Sequence, residues 1–109
     1  MNSQLIEWGN PPTQQRLRWF CPACQLPHEV PVRANHGDVP VWHWNGETDR
    51  PSLSPSVRIS FGDVPADFPH PRLCHCFLTA GNVHFCGDSK HALAGMTVPL
   101  PEIPEGHRL

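Results

Sequence analysis

Nowhere in this chain of 109 residues does an apolar run approach the roughly 18 residues of a membrane-spanning helix. No apolar stretch follows Met1-Asn2-Ser3-Gln4 either, so a secretory leader is not expected. Lysine is nearly missing: of eight basic residues only Lys90 is a lysine, and the formal net charge is −2. Without a basic run the electrostatic footprint of a nucleic-acid-binding protein is absent, unless the fold gathers scattered arginines such as Arg16, Arg18, Arg33, Arg50, Arg58 and Arg72. Long helices are excluded by fourteen prolines. Hydrophobic residues make up 39%, a thin supply for a small core, and domains of this kind usually need a staple. Five cysteines cannot all pair, so a complete disulfide framework is ruled out. In the reducing compartment expected here, close cysteine pairs signify metal or redox chemistry. No internal repeat or low-complexity tract is present.

What the chain does have is Cys21-Pro22-Ala23-Cys24 and, about fifty residues later, Cys74-His75-Cys76. A C-P-x-C spacing puts two sulfurs on one tight turn, able to face a single point. A second ligand group from a distant strand completes four donors for one Zn²⁺. A thioredoxin-like redox role would need the first pair to open a helix, and no helical pattern follows it.

Residues 1–15 are polar, contain Pro11-Pro12, and are expected as an N-terminal arm. A zinc-stabilised β domain is expected over 16–101, with a tail over 102–109. Residues 16–21 alternate polar and apolar, as a half-buried strand does, and run into the C-P-x-C turn. Residues 28–33 alternate again as a returning strand, and Pro31 suggests a sheet edge. This order is that of a zinc knuckle. A turn follows over 35–38, then a strand over 39–44 with Trp42 and Trp44 on one face, ended by Asn45-Gly46. Residues 51–56 read as extended, 57–61 as a strand and 62–72 as a loop. Residues 73–78 and 82–86 flank Thr79-Ala80-Gly81 as a hairpin, 89–94 suggest one helical turn, and 96–98 a last short strand. The fold class is thus mostly β: a small single-domain antiparallel sheet with a zinc-knuckle or zinc-ribbon-like site and little helix.

Cys74 and Cys76 leave a strand on the same face and His75 on the other, so spacing alone favours a Cys₄ site of Cys21, Cys24, Cys74 and Cys76. Cys86 reads as a small buried hydrophobe. His28 follows Cys24 by four residues and is an alternate ligand; His91, in a turn that could fold back toward the hairpin base, reads on its own as an ordinary surface histidine.

At these residues the chain resembles a family of small phage and prophage proteins of unassigned function. The shared blocks are C-P-x-C-x-x-x-H (Cys21, Cys24, His28), W-x-W-N-G (from Trp42), P-[ST]-x-[ST]-P-S (from Pro51), C-H-x-F (Cys74, His75, Phe77) and D-x-x-H-x-L-A-G-x-T-V (from Asp88). In that family position 76 is commonly not cysteine. The resemblance therefore implies Zn²⁺ held by Cys21, Cys24, Cys74 and a histidine. We favour His91, because a turn can be placed freely, with Cys76, His28 and His75 as alternates; His75 beside Cys74 would need a bulge.

The resulting expectation is a zinc-stabilised accessory binding protein of a phage or prophage, with a protein partner and a cytoplasmic location in the bacterial host, able to antagonise a host factor. A closed four-ligand site carries folding energy and no catalysis. The first alternative is a small zinc-dependent hydrolase with an open metal site, around which Asp88, His75, Asn45 and Glu47 would supply polar groups, with Ser54 and Ser56 lining it. The plainer reading of those residues is turn chemistry. A nucleic-acid-binding zinc ribbon is the second alternative. A nucleobase deaminase is excluded, since H-x-E upstream of the cysteines is missing.

Overall fold

Leu17, Trp19 and Cys21 alternate along one face of a strand and are almost wholly shielded, which anchors the sheet they belong to. The computed structural model describes residues 2–35, 37, 40–62 and 72–109. Three strands, β1 (Ser3–Trp8), β2 (Gln14–Cys21) and β3 (Leu26–Ala34), form an antiparallel sheet in the order β1-β2-β3. A second antiparallel sheet contains β4 (His43–Trp44), β5 (Leu53–Ser60), β6 (Leu73–Thr79), β7 (Asn82–Phe85) and β8 (Thr97–Pro99), in that order across the sheet. The protein is nearly all β: among the described residues the sole helical element is a 3₁₀ turn at Glu105–His107, and no helix is long and apolar enough to cross a membrane.

The inward residues of both sheets meet in one core. Leu17, Trp19 and Val30 from the first sheet pack with Leu53, Val57, Cys74, Cys76, Leu78, Val83 and Phe85 from the second. In β6 the alternation is strict, with Cys74, Cys76 and Leu78 buried and His75 and Phe77 turned outward. As Pro27 and Pro31 require, β3 lies at a sheet edge.

Several local expectations change. Within residues 1–15, expected as an arm, Ser3–Trp8 pairs along its whole length with β2, and Ser3 donates both its N–H and its hydroxyl to the Thr48 carbonyl. The segment around 89–94 forms hydrogen-bonded turns, closed by Gly95 N–H donating to the Phe85 carbonyl, and no helix. In the expected tail, Ile103 is buried and accepts the Arg108 side-chain N–H at 2.7 Å. Of the expected 39–44 strand only His43–Trp44 pairs in a sheet, and the 62–72 loop, the 35–38 turn and residue 39 lie wholly or partly outside the described residues.

The β6–β7 hairpin closes through Ala80 (φ 49°) and Gly81 (φ 83°), both left-handed, as a two-residue type I′ turn demands. Gly81 is also required by proximity, because a Cβ there would stand 3.2 Å from the Arg50 Cα.

Candidate active site and metal centre

The two chemistry-bearing clusters of the protein stand on opposite faces of β6. On the inner face, β2 ends at Cys21 and the chain reverses through Pro22 to Gln25, whose φ of 57° and N–H bond to the Cys21 carbonyl at 2.9 Å make the turn tight. The Cys24 N–H points at the Cys21 sulfur, 3.3 Å away. Cys21 and Cys74 sulfurs lie 3.9 Å apart. Along β3, Leu26, His28 and Val30 share one face, which turns His28 back over the knuckle. The ligand atoms of Cys21, Cys24, His28 and Cys74 all lie within 4.8 Å of one another, and all four residues are buried.

Electrostatics in this cluster are those of thiols sharing protons. Hydrogen bonds from Cys24 and Cys74 hold the Cys21 thiol far below its ordinary range, against the effect of burial. The reciprocal bond to Cys21 pushes Cys24 up to about 12. Cys74 is pushed up as well, first by its bonds to Cys21 and Cys24. His28 Nε2 is buried with no hydrogen-bond partner. Three sulfurs and an imidazole nitrogen, one of them an orphaned buried atom, are a donor set that fits a metal ion.

The remaining expected ligands fall around this group. His91 packs edge-on against Phe85 at 4.7 Å, accepts the Leu93 N–H at Nδ1, and leaves Nε2 buried without a partner. Burial pushes its imidazole below the ordinary range. Cys76 is buried two residues along β6, facing the core. His75 points to the opposite face.

There His75 meets Ser56 and Asp88, which the sequence suggested as polar groups around an open metal ion and which the structure joins to the ring itself. Its Nε2 lies 2.9 Å from the Ser56 Oγ. Its Nδ1 lies 3.0 and 3.1 Å from the two Asp88 oxygens. Ser56 owes its aim to an irregularity: β5 and β6 pair as Leu53↔Leu78 and then Val57↔Cys76, so three β5 residues oppose Phe77 alone. Bulges of this kind re-aim a side chain. Asp88 is placed by the loop after β7, which is laced to β6. Cys86 N–H donates to the His75 carbonyl, the Ser89 hydroxyl donates to that carbonyl and accepts the His75 N–H, and Lys90 N–H donates to Leu73. Ser89 is buried, so this clamp is shielded from water.

Serine, histidine and carboxylate stand here in the relation of a nucleophilic triad, with the carboxylate on one ring nitrogen and the hydroxyl at the other. His75 is 23% exposed and Asp88 54%, so both are open to solvent. Phe77 stacks on the His75 ring at 6.3 Å. Beside the serine, the Trp42 indole N–H donates to the Ser56 carbonyl at 3.2 Å. Trp42 also lines an open cleft of about 390 Å³ with Val32, Val41, His43 and Trp44. Cys86, the other thiol near the ring, has its pKa raised, first by burial and then by the Asp88 and Cys76 charges, which keeps it a poor nucleophile.

The signal that was available was the pairing pattern. Arg58 opposes His75 across β5 and β6, so Ser56 lies near that histidine once the two strands are joined. Along the chain the order is serine, histidine, aspartate, unlike the familiar orders of such groups, and no local motif marks it.

A model of the family described as bacterial ubiquitination-like system serine protease (BubE) matches residues 6–86. No curated protein and no solved structure matches the chain. The family match overturns the expectation of a phage or prophage accessory binding protein that antagonises a host factor. The zinc hydrolase and the nucleic-acid-binding ribbon fall with it. For the hydrolase there is also a physical reason, since four buried protein groups that could hold one ion would leave a tetrahedral ion no position for water. Ser56 and His75 lie inside the matched span and Asp88 just past it. With most of its length matched in this way, the chain belongs to the family of the bacterial ubiquitination-like system serine protease BubE.

Proposed function

We propose that the protein is a serine protease whose nucleophile is Ser56, whose general base is His75 and whose orienting carboxylate is Asp88. The observation that carries this reading is the Ser56 Oγ–His75 Nε2 approach of 2.9 Å with Asp88 bonded at the far ring nitrogen. The family description supports the same chemistry and suggests the partner, a ubiquitin-like protein of the same bacterial system joined through a peptide or isopeptide bond. Nε2 takes the serine proton as Oγ attacks the scissile carbonyl. The proton then passes to the leaving amine, and water cleaves the acyl-enzyme by the same route. Asp88 holds the Nδ1–H and stabilises the imidazolium. Among the described residues β4 pairs only with Leu53 and Ser54, which supports docking of an extended substrate chain along β5 past the Trp42 bond to Ser56. The cleft at Trp42 stands ready for one of its side chains.

Cys21, Cys24, His28 and Cys74 hold Zn²⁺ as a structural ion in this reading. The ion supplies folding energy at the knuckle and takes no part in bond cleavage.

Labelling with a fluorophosphonate followed by peptide mapping should place the adduct on Ser56. Ser56→Ala should lose about 10³-fold or more of hydrolysis with the fold intact. Labelling of another residue, or full activity in S56A, would overturn the assignment.

A further inference from the structure

The loop that places Asp88 brings a third group to the His75 ring. The ligand atoms of His75, Cys86 and Asp88 all lie within 4.8 Å of one another. Metal–ligand bonds of about 2.0–2.3 Å put tetrahedral ligands roughly 3.3–3.8 Å apart, so closing the group needs only small side-chain movements. Its backbone is already fixed, by the Cys86 N–H bond to the His75 carbonyl at 2.8 Å and by the Ser89 clamp. Unlike the buried cluster, this group is half-exposed, so water can fill the remaining coordination positions.

We propose that His75, Cys86 and Asp88 form a second, open site for a borderline-soft divalent cation such as Zn²⁺ or Cd²⁺, and that filling it switches the protease off. One nitrogen, one sulfur and one carboxylate suit such ions better than Mg²⁺ or Ca²⁺, which take oxygen ligands. The inhibitory half of the proposal rests on the Ser56–His75–Asp88 reading; the binding half does not. The nitrogen that faces Asp88 is Nδ1. A cation there uses the Nδ1 lone pair, and the one proton of the neutral ring then sits on Nε2. Nε2 faces Ser56. Carrying a proton, it can donate to the hydroxyl but has no lone pair to receive the serine proton. Asp88 is drawn to the cation at the same time. Loss of general base catalysis follows from the valence of the ring and needs no change of fold.

The test uses full-length protein with its buried cluster already loaded. Equilibrium dialysis against Zn²⁺, and titration with Cd²⁺ read by thiolate-to-metal absorbance, should show one further, weaker equivalent. Hydrolysis should fall in step with its binding and return when a mild chelator removes it. Cys86→Ser should keep hydrolysis in metal-free buffer, lose the weaker equivalent, and need at least tenfold more Zn²⁺ for inhibition. Cys86→Ala serves the same purpose if the serine variant folds poorly. Absence of the weaker equivalent, or equal binding by wild type and both variants, overturns the site. If the weaker equivalent binds through Cys86 while wild type hydrolyses nothing, the protease reading fails and the cation site stands.

Discussion

Cys74 and His75 are neighbours on β6, yet one belongs to a closed site and the other to an open one. Cys74 is 1% exposed and its companions are buried. His75 and Asp88 are partly open to water. Three of the four groups of the closed site are local, Cys21, Cys24 and His28 all lying in or beside one knuckle. The open site takes one residue from β5, one from β6 and one from the loop after β7. A structural ion must be enclosed, because a free coordination position would let solvent compete for it. A nucleophile must be reachable, so in the proposed triad its geometry is fixed from behind, by Ser89 and the β5 bulge.

Removing the ion should separate the two sites most sharply. Chelation, or His28→Ala, should release zinc and unfold the chain, since such ions supply about 10 kcal/mol or more of apparent binding energy. His91→Ala should retain the ion in a chromogenic chelator assay; release by H91A with retention by H28A would move the fourth ligand to His91. Asp88→Asn should do the opposite to the chemistry, lowering turnover by about 10³–10⁴-fold because the ring loses its preferred tautomer. Its melting temperature should hold, since Asp88 lies at the surface, and a parallel drop in stability would make the residue a structural cap.

Ser89→Ala sits between these extremes. It should lower kcat roughly 10-fold through a displaced base, with KM little changed and fluorophosphonate labelling slowed in proportion. A stability loss with an unchanged labelling rate would deny Ser89 a positioning role. The smallest effect belongs to Ala80→Asn. Asparagine tolerates the left-handed backbone at this turn better than alanine, so thermal unfolding should show a gain of about 0.5–1 kcal/mol and no change in activity.

Where one face of a strand is buried, its alternation could be read in the chain. Residues 16–21, 57–61, 73–78 and 82–86 all fall within or against observed strands. β1 escaped because its apolar residues carry no such signal: Leu5 and Trp8 are exposed, and the strand exists by backbone pairing to β2. The cysteines were legible because two ligands on a tight turn leave a fixed spacing. His28 was less so, since four residues past Cys24 only a strand that begins at Leu26 brings it back over the sulfurs. Ser56 was hardest. Counting by twos from Val57 gives no account of a residue inside a bulge, and Ser54 and Ser56 look alike until the register is known.

A slip of β6 by one residue would turn Cys74, Cys76 and Leu78 out to water and His75 into the core. The contact that joins Cys74 to Cys21 therefore also decides where the base stands. An error of register reaches both places at once. In the proposed protease a copy with β6 slipped in this way frees its thiols and disarms its serine together, and so meets other proteins as an inert chain.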